Sequence, residues 1–392
     1  MADGKGIVKG TSLWADAWKR LLKNKLAVFG LIVLALMVIA VIIGPSIIKW
    51  TTGFTADYIP SEGDLIKSFP PSWQHPMGTD EAGRDLLARV LQGGRISLMV
   101  GIISTIVSLI IGVSYGAIAA YLGGKIDNVM MRIVDIIYSI PYILIVIVLL
   151  SVFGGPNTAV LIEWMPQILS SVILLVILVP LAVVLYRRLT ESLEGKTDGV
   201  LILLAKFPYI VLSVAVMFAI MYGVGYLLYA ANVGQYWAKQ YAGSVNQSLS
   251  QIFLLFFALG LVSWLTMARV VRGQVLSLKN QEFVLAARAT GVSTFGIIFR
   301  HLVPNTLGPV IVYATLTVPS VMLTEAFLSF LGLGVQAPYA SWGSLAADGI
   351  KNIAIYPWQM IFPGVTMALT LFSLNFVGDG LRDALDPQTR KF

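Results

Sequence analysis

One polar stretch interrupts an otherwise apolar chain: Glu282–Asn305, which reads EFVLAARATGVSTFGIIFRHLVPN. It brings an acid, two arginines, a histidine, a central glycine and a closing proline between two long hydrophobic segments. This mixture of charged and small side chains favours recognition of another protein over bond-making chemistry. The candidate site residues are Glu282, Ala286, Ala287, Arg288, Gly291, His301 and Pro304.

The same stretch divides into two short predicted helices. Glu282–Thr290 would be about 13 Å long at 1.5 Å per residue, and its two adjacent alanines give it a face with almost no side-chain bulk. Gly291 follows at the position where a left-handed backbone costs little. Ser293 would cap the second helix, and Pro304 would lie in the first turn of the span that follows. We interpret the flat face, the turn and the apolar second helix as a docking site for a partner protein. The alternative is an ordinary interfacial loop without a partner.

Other polar patterns do not meet the requirements of a catalytic or metal site. The segment TESLEGKT, Thr190–Thr197, lacks the first glycine of a phosphate-binding loop and follows an apolar helix rather than a strand. His75 and His301 lie far apart, and neither has a neighbouring ligand cluster. The chain has no cysteine, which excludes thiolate ligands, cysteine nucleophiles and disulfides. We therefore predict no catalytic residue, no metal site and no nucleotide bound by this chain.

Few ionisable residues lie inside the apolar segments, where each one is costly. Asp135 lies one turn from Arg132, which predicts a local ion pair, and Glu325 falls in the outer half of its helix. These acids form no proton relay in the sequence, so the pattern does not favour an ion-coupled secondary transporter.

The composition is that of a membrane protein. Of the 392 residues, 57% are hydrophobic and 12% charged, whereas soluble domains are about 25% charged. The net charge of +7 comes from basic residues at the ends of apolar runs, the distribution expected beside anionic lipid. The first apolar run is too long for a cleaved signal peptide. We predict an all-α polytopic membrane protein that contacts the lipid bilayer and no nucleic acid.

About eight apolar segments are long enough to span a bilayer, which takes about 20 residues. They are Leu26–Ile48, Ile96–Leu122, Val129–Phe153, Ile168–Leu185, Leu201–Ala231, Leu249–Val270, Leu302–Leu331 and Trp358–Val377. Before them, Thr11–Lys25 predicts a basic amphipathic helix in the headgroup plane. Small residues on the second span, among them Gly101, Gly112 and Gly116, predict close helix packing.

Basic residues indicate which side of the membrane each loop occupies. Those of the N-terminal segment, the turn at Lys125, the loop YRRLTESLEGKTDG, Glu282–Asn305 and the C-terminal tail fall on one face. We predict that this face is cytoplasmic and carries both termini. The three arginines of Asp80–Arg95 fall on the other side, where we predict an external interfacial helix.

The spacing of the candidate site residues, E…AA…G…I…H…P, resembles the cytoplasmic EAA loop of permease subunits from ATP-binding-cassette (ABC) importers. Three further stretches carry the resemblance: HPMGTDEAGRDLLARVLQGGRISL (His75–Leu98), TEAFLSFLGLGVQAPYASWGSLAADG (Thr324–Gly349) and NFVGDGLRDALDPQTR (Asn375–Arg390). Together they are similar to the C-type permease subunit of dipeptide, oligopeptide and nickel importers. The resemblance covers roughly residues 13–154 and 259–392.

The resemblance implies a type I ABC importer permease bundle with six family spans. This chain adds an inserted segment at about 156–250 with two further spans, which gives about eight transmembrane helices. An inserted pair of spans leaves all later loops on their original sides. The predicted organisation is an N-terminal cytoplasmic amphipathic segment (1–25), the first transmembrane helix with an extracytoplasmic loop (26–95), core helices (96–155), the insertion (156–250) and core helices with the coupling loop at 279–304 (251–392).

The resemblance also implies partners. A homologous second permease subunit would complete the pore, two ABC ATPase subunits would bind ATP and Mg²⁺, and an extracytoplasmic substrate-binding protein would deliver the cargo. In that scheme Glu282 makes polar contacts in an ATPase cleft, Arg288 contacts acidic groups and Gly291 permits the turn, while the alanines allow close approach. The expectation is a peptide permease of the inner (cytoplasmic) membrane that is not itself an enzyme and carries no cofactor.

Alternatives stay open on the sequence alone. The same machinery could import nickel complexes or oligosaccharides, because the binding protein sets much of the selectivity. From other classes, the alternatives are an ion-coupled secondary transporter, which needs no ATPase partner, and a scaffolding membrane protein, in which the Glu282–Asn305 loop only docks a cytoplasmic partner. Residues that contact the substrate are not assigned by the sequence.

Overall fold

The computed structural model describes residues 13–59, 68–153 and 247–385, and these contain helices joined by turns and loops and no β-strand. Apart from residues 247–250, the predicted inserted segment at 156–250 with its two spans lies outside the described residues, as do residues 1–12 and the C-terminal tail. The chain divides into two compact units, Met1–Leu150 with Ile252–Phe392, and Ser151–Gln251. All contacts discussed below belong to the first unit.

The helices of the described residues follow the apolar segments of the sequence. They are α1 Leu13–Leu21, α2 Lys25–Thr52, α3 Leu86–Leu122, α4 Gly124–Ser139, α5 Tyr142–Phe153, α6 Gln247–Leu278, α7 Glu282–Ala289, α8 Thr294–Phe330, α9 Trp342–Ile350 and α10 Trp358–Leu385. Five helices in this part of the chain are long and apolar enough to cross a membrane, or six if the bent pair α4–α5 counts as one span. Each of the six spans predicted there therefore has a helical counterpart.

The helix predicted within Asp80–Arg95 is present from Leu86 onward, but it is the first part of α3 and not a separate helix. The helix begins at Leu86, capped by the Asp85 carboxylate, which accepts the Ala88 N–H at 2.7 Å, and it runs without a break to Leu122. Arg89, whose charge had suggested a surface position, is only 6% exposed. Its guanidinium donates to the Asp80 carboxylate at 2.5 Å, so the charge is paired inside the protein.

The third predicted span, Val129–Phe153, is not one straight helix. Helices α4 and α5 are bent by 77° at the break before Pro141. Proline has no N–H to continue the helical ladder, and it disfavours helical geometry in the residue before it. Ile140 has the extended backbone that this restriction favours.

Close packing of α3 through its small residues, as predicted, is confirmed. A Cβ atom at Gly101 would lie 2.8 Å from Val318 Cγ1 on α8, and one at Gly112 would lie 2.6 Å from Met267 Cβ on α6. Since real contacts are longer than this, only glycine lets the helices approach so closely. Both α6 and α8 thus pack closely against α3.

Helix α9 packs against α3, α8 and α10. Trp342, fully buried at its start, donates its indole N–H to Val90 O at 2.8 Å and its backbone N–H to Ser97 Oγ at 3.0 Å. Glu325 on α8 is 1% exposed, and its Oε1 accepts hydrogen bonds from Ser329 Oγ at 2.8 Å and Ser341 Oγ at 2.6 Å. The buried acid therefore fastens α8 to the N-cap of α9.

The N-terminal helix packs on protein through one side. Leu21 is 1% exposed and, with Ala17, forms a cluster with Ala27 and Ala384 at the end of α10. Trp18, by contrast, is 55% exposed. One apolar side of this helix thus contacts α10, and a second apolar side, which carries Trp18, is exposed.

Candidate functional site

Helix α7 has one buried side and one exposed side. Val284 is fully buried and Ala287 is 7% exposed, and both face the bundle. Phe283 and Leu285 remain 38% and 50% exposed. Glu282, Ala286 and Arg288 are exposed as well. The helix therefore presents a mixed apolar and charged surface, which we call the α7 outer face.

The predicted flat face made of both alanines is wrong in one respect. Ala286 lies on the α7 outer face, whereas Ala287 points inward. Neighbouring residues on a helix are about 100° apart, so the two methyl groups serve different surfaces. Ala287 allows α7 to approach the bundle, and Ala286 leaves room outside it.

The turn after α7 is a Schellman motif. Gly291 has φ of +81°, Val292 N–H donates to Ala287 O at 3.1 Å, and Gly291 N–H donates to Arg288 O at 3.1 Å. Thr290 Oγ1 also donates to Ala287 O at 3.0 Å. This pattern satisfies the last carbonyl groups of the helix and requires a left-handed residue at position 291. The predicted role of Gly291 as the turn residue is confirmed.

The second predicted short helix is instead the beginning of α8. Ser293 caps it as predicted, accepting the Gly296 N–H at 3.2 Å. Its first turns include a π-helical segment, Ile297–Leu302, which passes directly into the regular helix Val303–Phe330. Pro304 lies in the first turn of that regular part, as predicted, but the rod is continuous from Thr294.

His301 belongs to the π-helical segment and is half-buried. Its backbone carbonyl accepts the Asn305 side-chain N–H at 2.6 Å. The missing N–H of Pro304 leaves the helical ladder one donor short at this point, and a π-helical turn is one way in which helices accommodate such a defect. His301 and Pro304 therefore shape the base of α8, away from the α7 outer face.

Two cations fasten the loop to the end of α3. Lys279, before α7, donates to Ala120 O at 3.1 Å. Arg288, within α7, lies over the Tyr121 ring at 5.8 Å and donates to its hydroxyl at 3.5 Å. Both contacts lie at the C-terminal end of α3, where positive charge is favourable. A displacement of α7 is thereby linked to α3.

Two ion pairs join α4 to α6. Arg272 donates from Nε and Nη2 to the two carboxylate oxygens of Asp127 at 2.6 and 2.7 Å. Arg269 donates to Asp135 at 3.0 Å and lies over the Tyr138 ring at 4.2 Å. The predicted partner of Asp135 was Arg132, one turn away; the partner in the structure is Arg269, because α6 passes beside that face of α4.

Beyond these ion pairs lies an open cavity of about 520 Å³, bordered by the α4–α5 break, α6 and α8. Its polar lining consists of tyrosine, serine and threonine hydroxyls. The sequence reasoning assigned none of these residues. A signal was present in the spacing of Tyr313, Thr317, Ser320 and Thr324, which places four hydroxyls on one side of a helix.

Comparison with known families decides the identity of the fold. Residues 109–391 match the family described as the binding-protein-dependent transport system inner membrane component. The chain belongs to that family. Residues 12–61 match the N-terminal transmembrane domain of oligopeptide transport permease C. The first of these is a type I ABC permease fold, so the predicted class is confirmed.

Similar proteins extend over nearly the whole chain. The oligopeptide transport system permease protein of Haemophilus influenzae is 38% identical over 384 residues, covering 98% of this chain and 91% of the relative. The corresponding Escherichia coli K12 protein is also 38% identical, covering 98% and 94%. The dipeptide transport system permease protein of Bacillus subtilis is 36% identical over 377 residues, covering 96% and 86%. This permease is thus a multi-pass membrane protein from a family of transport subunits rather than of enzymes.

Proposed function

We propose that this permease forms half of the translocation pore of an ABC importer for peptides. The family assignment and the oligopeptide and dipeptide relatives support the cargo class. A homologous second permease subunit completes the pore, and an extracytoplasmic substrate-binding protein delivers the peptide. The chain lies in the inner (cytoplasmic) membrane with both termini on the cytoplasmic side.

The α7 outer face is the docking surface for an ATPase subunit. The observation that carries this proposal is the two-sided helix: Val284 and Ala287 hold it to the bundle, while Phe283 and Leu285 stay exposed without a described partner surface. Apolar side chains on a short helix, rimmed by charge, are typical of a helix that inserts into a groove. ATP and Mg²⁺ are bound by the two ATPase subunits, so this chain carries no cofactor of its own.

Each residue of the loop has a role in that contact. Glu282 and Arg288 flank the apolar residues of the outer face and make charged contacts with the ATPase, and Ala286 allows its surface to come close. Gly291 fixes the angle at which α7 meets α8. His301 and Pro304 form the base that transmits the motion of α7 into α8.

The motion of α7 then passes to α3 and α8 through contacts that the structure describes. Closure of the ATPase subunits on ATP displaces α7, and the displacement reaches α3 through Lys279 and Arg288 and reaches α8 through the Gly291 turn. Since α3 and α8 pack through Gly101, they move together. The pore thereby changes between outward-facing and inward-facing states.

The test is affinity purification of the tagged chain from its native membrane in mild detergent, with mass spectrometry of the proteins that accompany it. We expect a second permease, one or two ATPases and a binding protein. Peptide-stimulated ATP hydrolysis by the reconstituted complex then establishes import. Gradient-driven uptake by the chain alone would contradict the proposal and establish a secondary transporter instead.

A further inference from the structure

The cavity beside the α4–α5 break is formed by helices that belong to three different spans. Its lining includes Ser139 and Pro141 at the break, Ser263 and Thr266 on α6, and Thr317 and Ser320 on α8. Among the described residues, no ionised side chain lines it. Arg269, the nearest cation along α6, is paired with Asp135.

Three hydroxyl groups of this lining are oriented by their own helices. Thr317 Oγ1 donates to Tyr313 O at 2.8 Å, Thr324 Oγ1 donates to Ser320 O at 2.9 Å, and Ser263 Oγ donates to Leu259 O at 2.8 Å. A hydroxyl has one proton to donate and two lone pairs that accept. Because the protons of these three hydroxyls are already used within the helix, the three oxygens face the cavity as acceptors of a hydrogen bond from a ligand; Ser320, also in the lining, adds a further hydroxyl oxygen.

The helix break adds polar backbone to the same place. Irregular backbone at membrane depth is tolerated only where it is buried in protein or borders a cavity that contains water. Ser139, Ile140 and Pro141 interrupt the helical ladder and line this cavity. The C-terminal end of α4, which carries partial negative charge, also lies at the break.

We propose that this cavity binds the peptide through its main chain, accepting hydrogen bonds from its N–H groups and its terminal ammonium. The lining offers acceptor oxygens and no fixed charge, which suits the part common to all peptides rather than a particular side chain. This inference rests on the proposed import of peptides, but it does not depend on the docking of α7.

Hydroxyl-deletion variants test the proposal in the complete complex. The double variant Thr317→Val and Ser320→Ala removes two acceptors with little change of volume. With tetra-alanine delivered by the binding protein, we expect peptide-stimulated ATP hydrolysis to reach its half-maximum at a peptide concentration about four- to a hundredfold higher, since each of the two lost hydrogen bonds contributes about two- to tenfold. The same ATP hydrolysis without peptide should be retained.

The matched control is Thr315→Val on the opposite side of α8. Thr315 Oγ1 also donates to its own helix, to Val312 O at 2.8 Å, but it faces Gly378 on α10. We expect a normal peptide response from this variant. An equal shift in Thr315→Val, or no shift in the double variant, would overturn the proposal. A wild-type complex that shows no peptide response at all would count against import instead.

Thiol protection gives a second readout that is independent of kinetics. The chain has no cysteine, so Ser320→Cys introduces a single thiol into the cavity, and Ile110→Cys places one on an exposed apolar side of α3. We expect a small hydrophilic thiol reagent to label position 320 but not position 110. Tetra-alanine presented by the binding protein, with ATP hydrolysis blocked, should slow labelling at position 320 severalfold. Absence of labelling, or labelling unaffected by peptide, would overturn the proposal.

Discussion

The guanidinium of Arg272 holds both carboxylate oxygens of Asp127, with N–O distances of 2.6 and 2.7 Å. The two residues lie 145 positions apart in the chain, on α6 and α4. The Asp127 side chain is 9% exposed and that of Arg272 is 33% exposed, so solvent screens the pair only in part. This contact fixes α6, the helix that leads into α7, against α4, which borders the cavity.

Asp127→Asn should destabilise the fold. The substitution keeps the shape of the side chain but removes the charge that faces Arg272, and hydrogen bonds to charged groups contribute about 1.5–3 kcal/mol. We expect a lower Tm for the purified chain in detergent, followed by tryptophan fluorescence. The control is Asp348→Asn, whose ion pair with Lys351 at 3.0 Å is 64–69% exposed and should contribute almost nothing. Equal Tm values for the two variants would contradict this assignment.

Gly291→Ala should impair transport through the backbone alone. The position has φ of +81°, and a Cβ there would meet no atom within 4 Å, so the whole cost, about 1–2 kcal/mol, comes from the left-handed conformation. We expect normal insertion into the membrane but reduced peptide uptake, because the angle between α7 and α8 changes.

Gly273→Ala is the matched control for that turn. Gly273 lies within α6, and a Cβ there also meets nothing within 4 Å, but its backbone is helical. Alanine is favoured over glycine in such a position by about 1 kcal/mol. Uptake should be unchanged. If both variants transported peptide normally, the turn would have no part in coupling.

The two alanines of α7 should give opposite phenotypes. Ala286→Trp enlarges the outer face and should leave Tm unchanged while the ATPase subunits no longer co-purify. Ala287→Leu overfills the buried side and should lower stability by about 1–3 kcal/mol. Thermal denaturation combined with co-purification separates the two effects. Loss of stability in Ala286→Trp would place that residue in the bundle rather than on the docking surface.

Gly343→Ala should loosen α9 from α8. A Cβ at this position would lie 2.6 Å from Ala326 Cα, and backbone atoms cannot yield as a flexible side chain can. We expect a Tm decrease together with faster proteolysis after Phe330. Gly364→Ala on α10, where a Cβ meets nothing within 4 Å, is the control and should behave as wild type.

Most of the spans could be predicted because a bilayer imposes one requirement on length and hydropathy. The start of α3 at Leu86 was not predicted, because the charge of Arg89 led us to begin the span at Ile96 and to expect a separate helix before it. The Asp80 carboxylate compensates the charge of the buried Arg89, and that contact depends on how the loop before α3 folds. Asp85, an N-cap residue directly before an apolar run, was the local signal for the helix start.

The candidate site was also predicted only in part, because its local features follow from the sequence and its contacts between helices do not. The turn at Gly291 and the cap at Ser293 are local, so they follow from residue type and spacing. The inward position of Ala287 and the pairing of Asp135 with Arg269 depend on which helix passes beside them. The cavity is least accessible to sequence reasoning, since three separate spans supply its lining.

The proposed docking of α7 on an ATPase subunit is tested by a cross-link from the α7 outer face in native membranes. Ala286→Cys gives the cysteine-free chain a single exposed thiol, which a short thiol–amine reagent joins to any lysine nearby. We expect one main product in which this thiol is linked to an ATP-hydrolysing subunit, and this product should be lost when the subunits are stripped from the membrane. A thiol that reacts freely with water-soluble reagent yet forms no such product would contradict the coupling role of this loop.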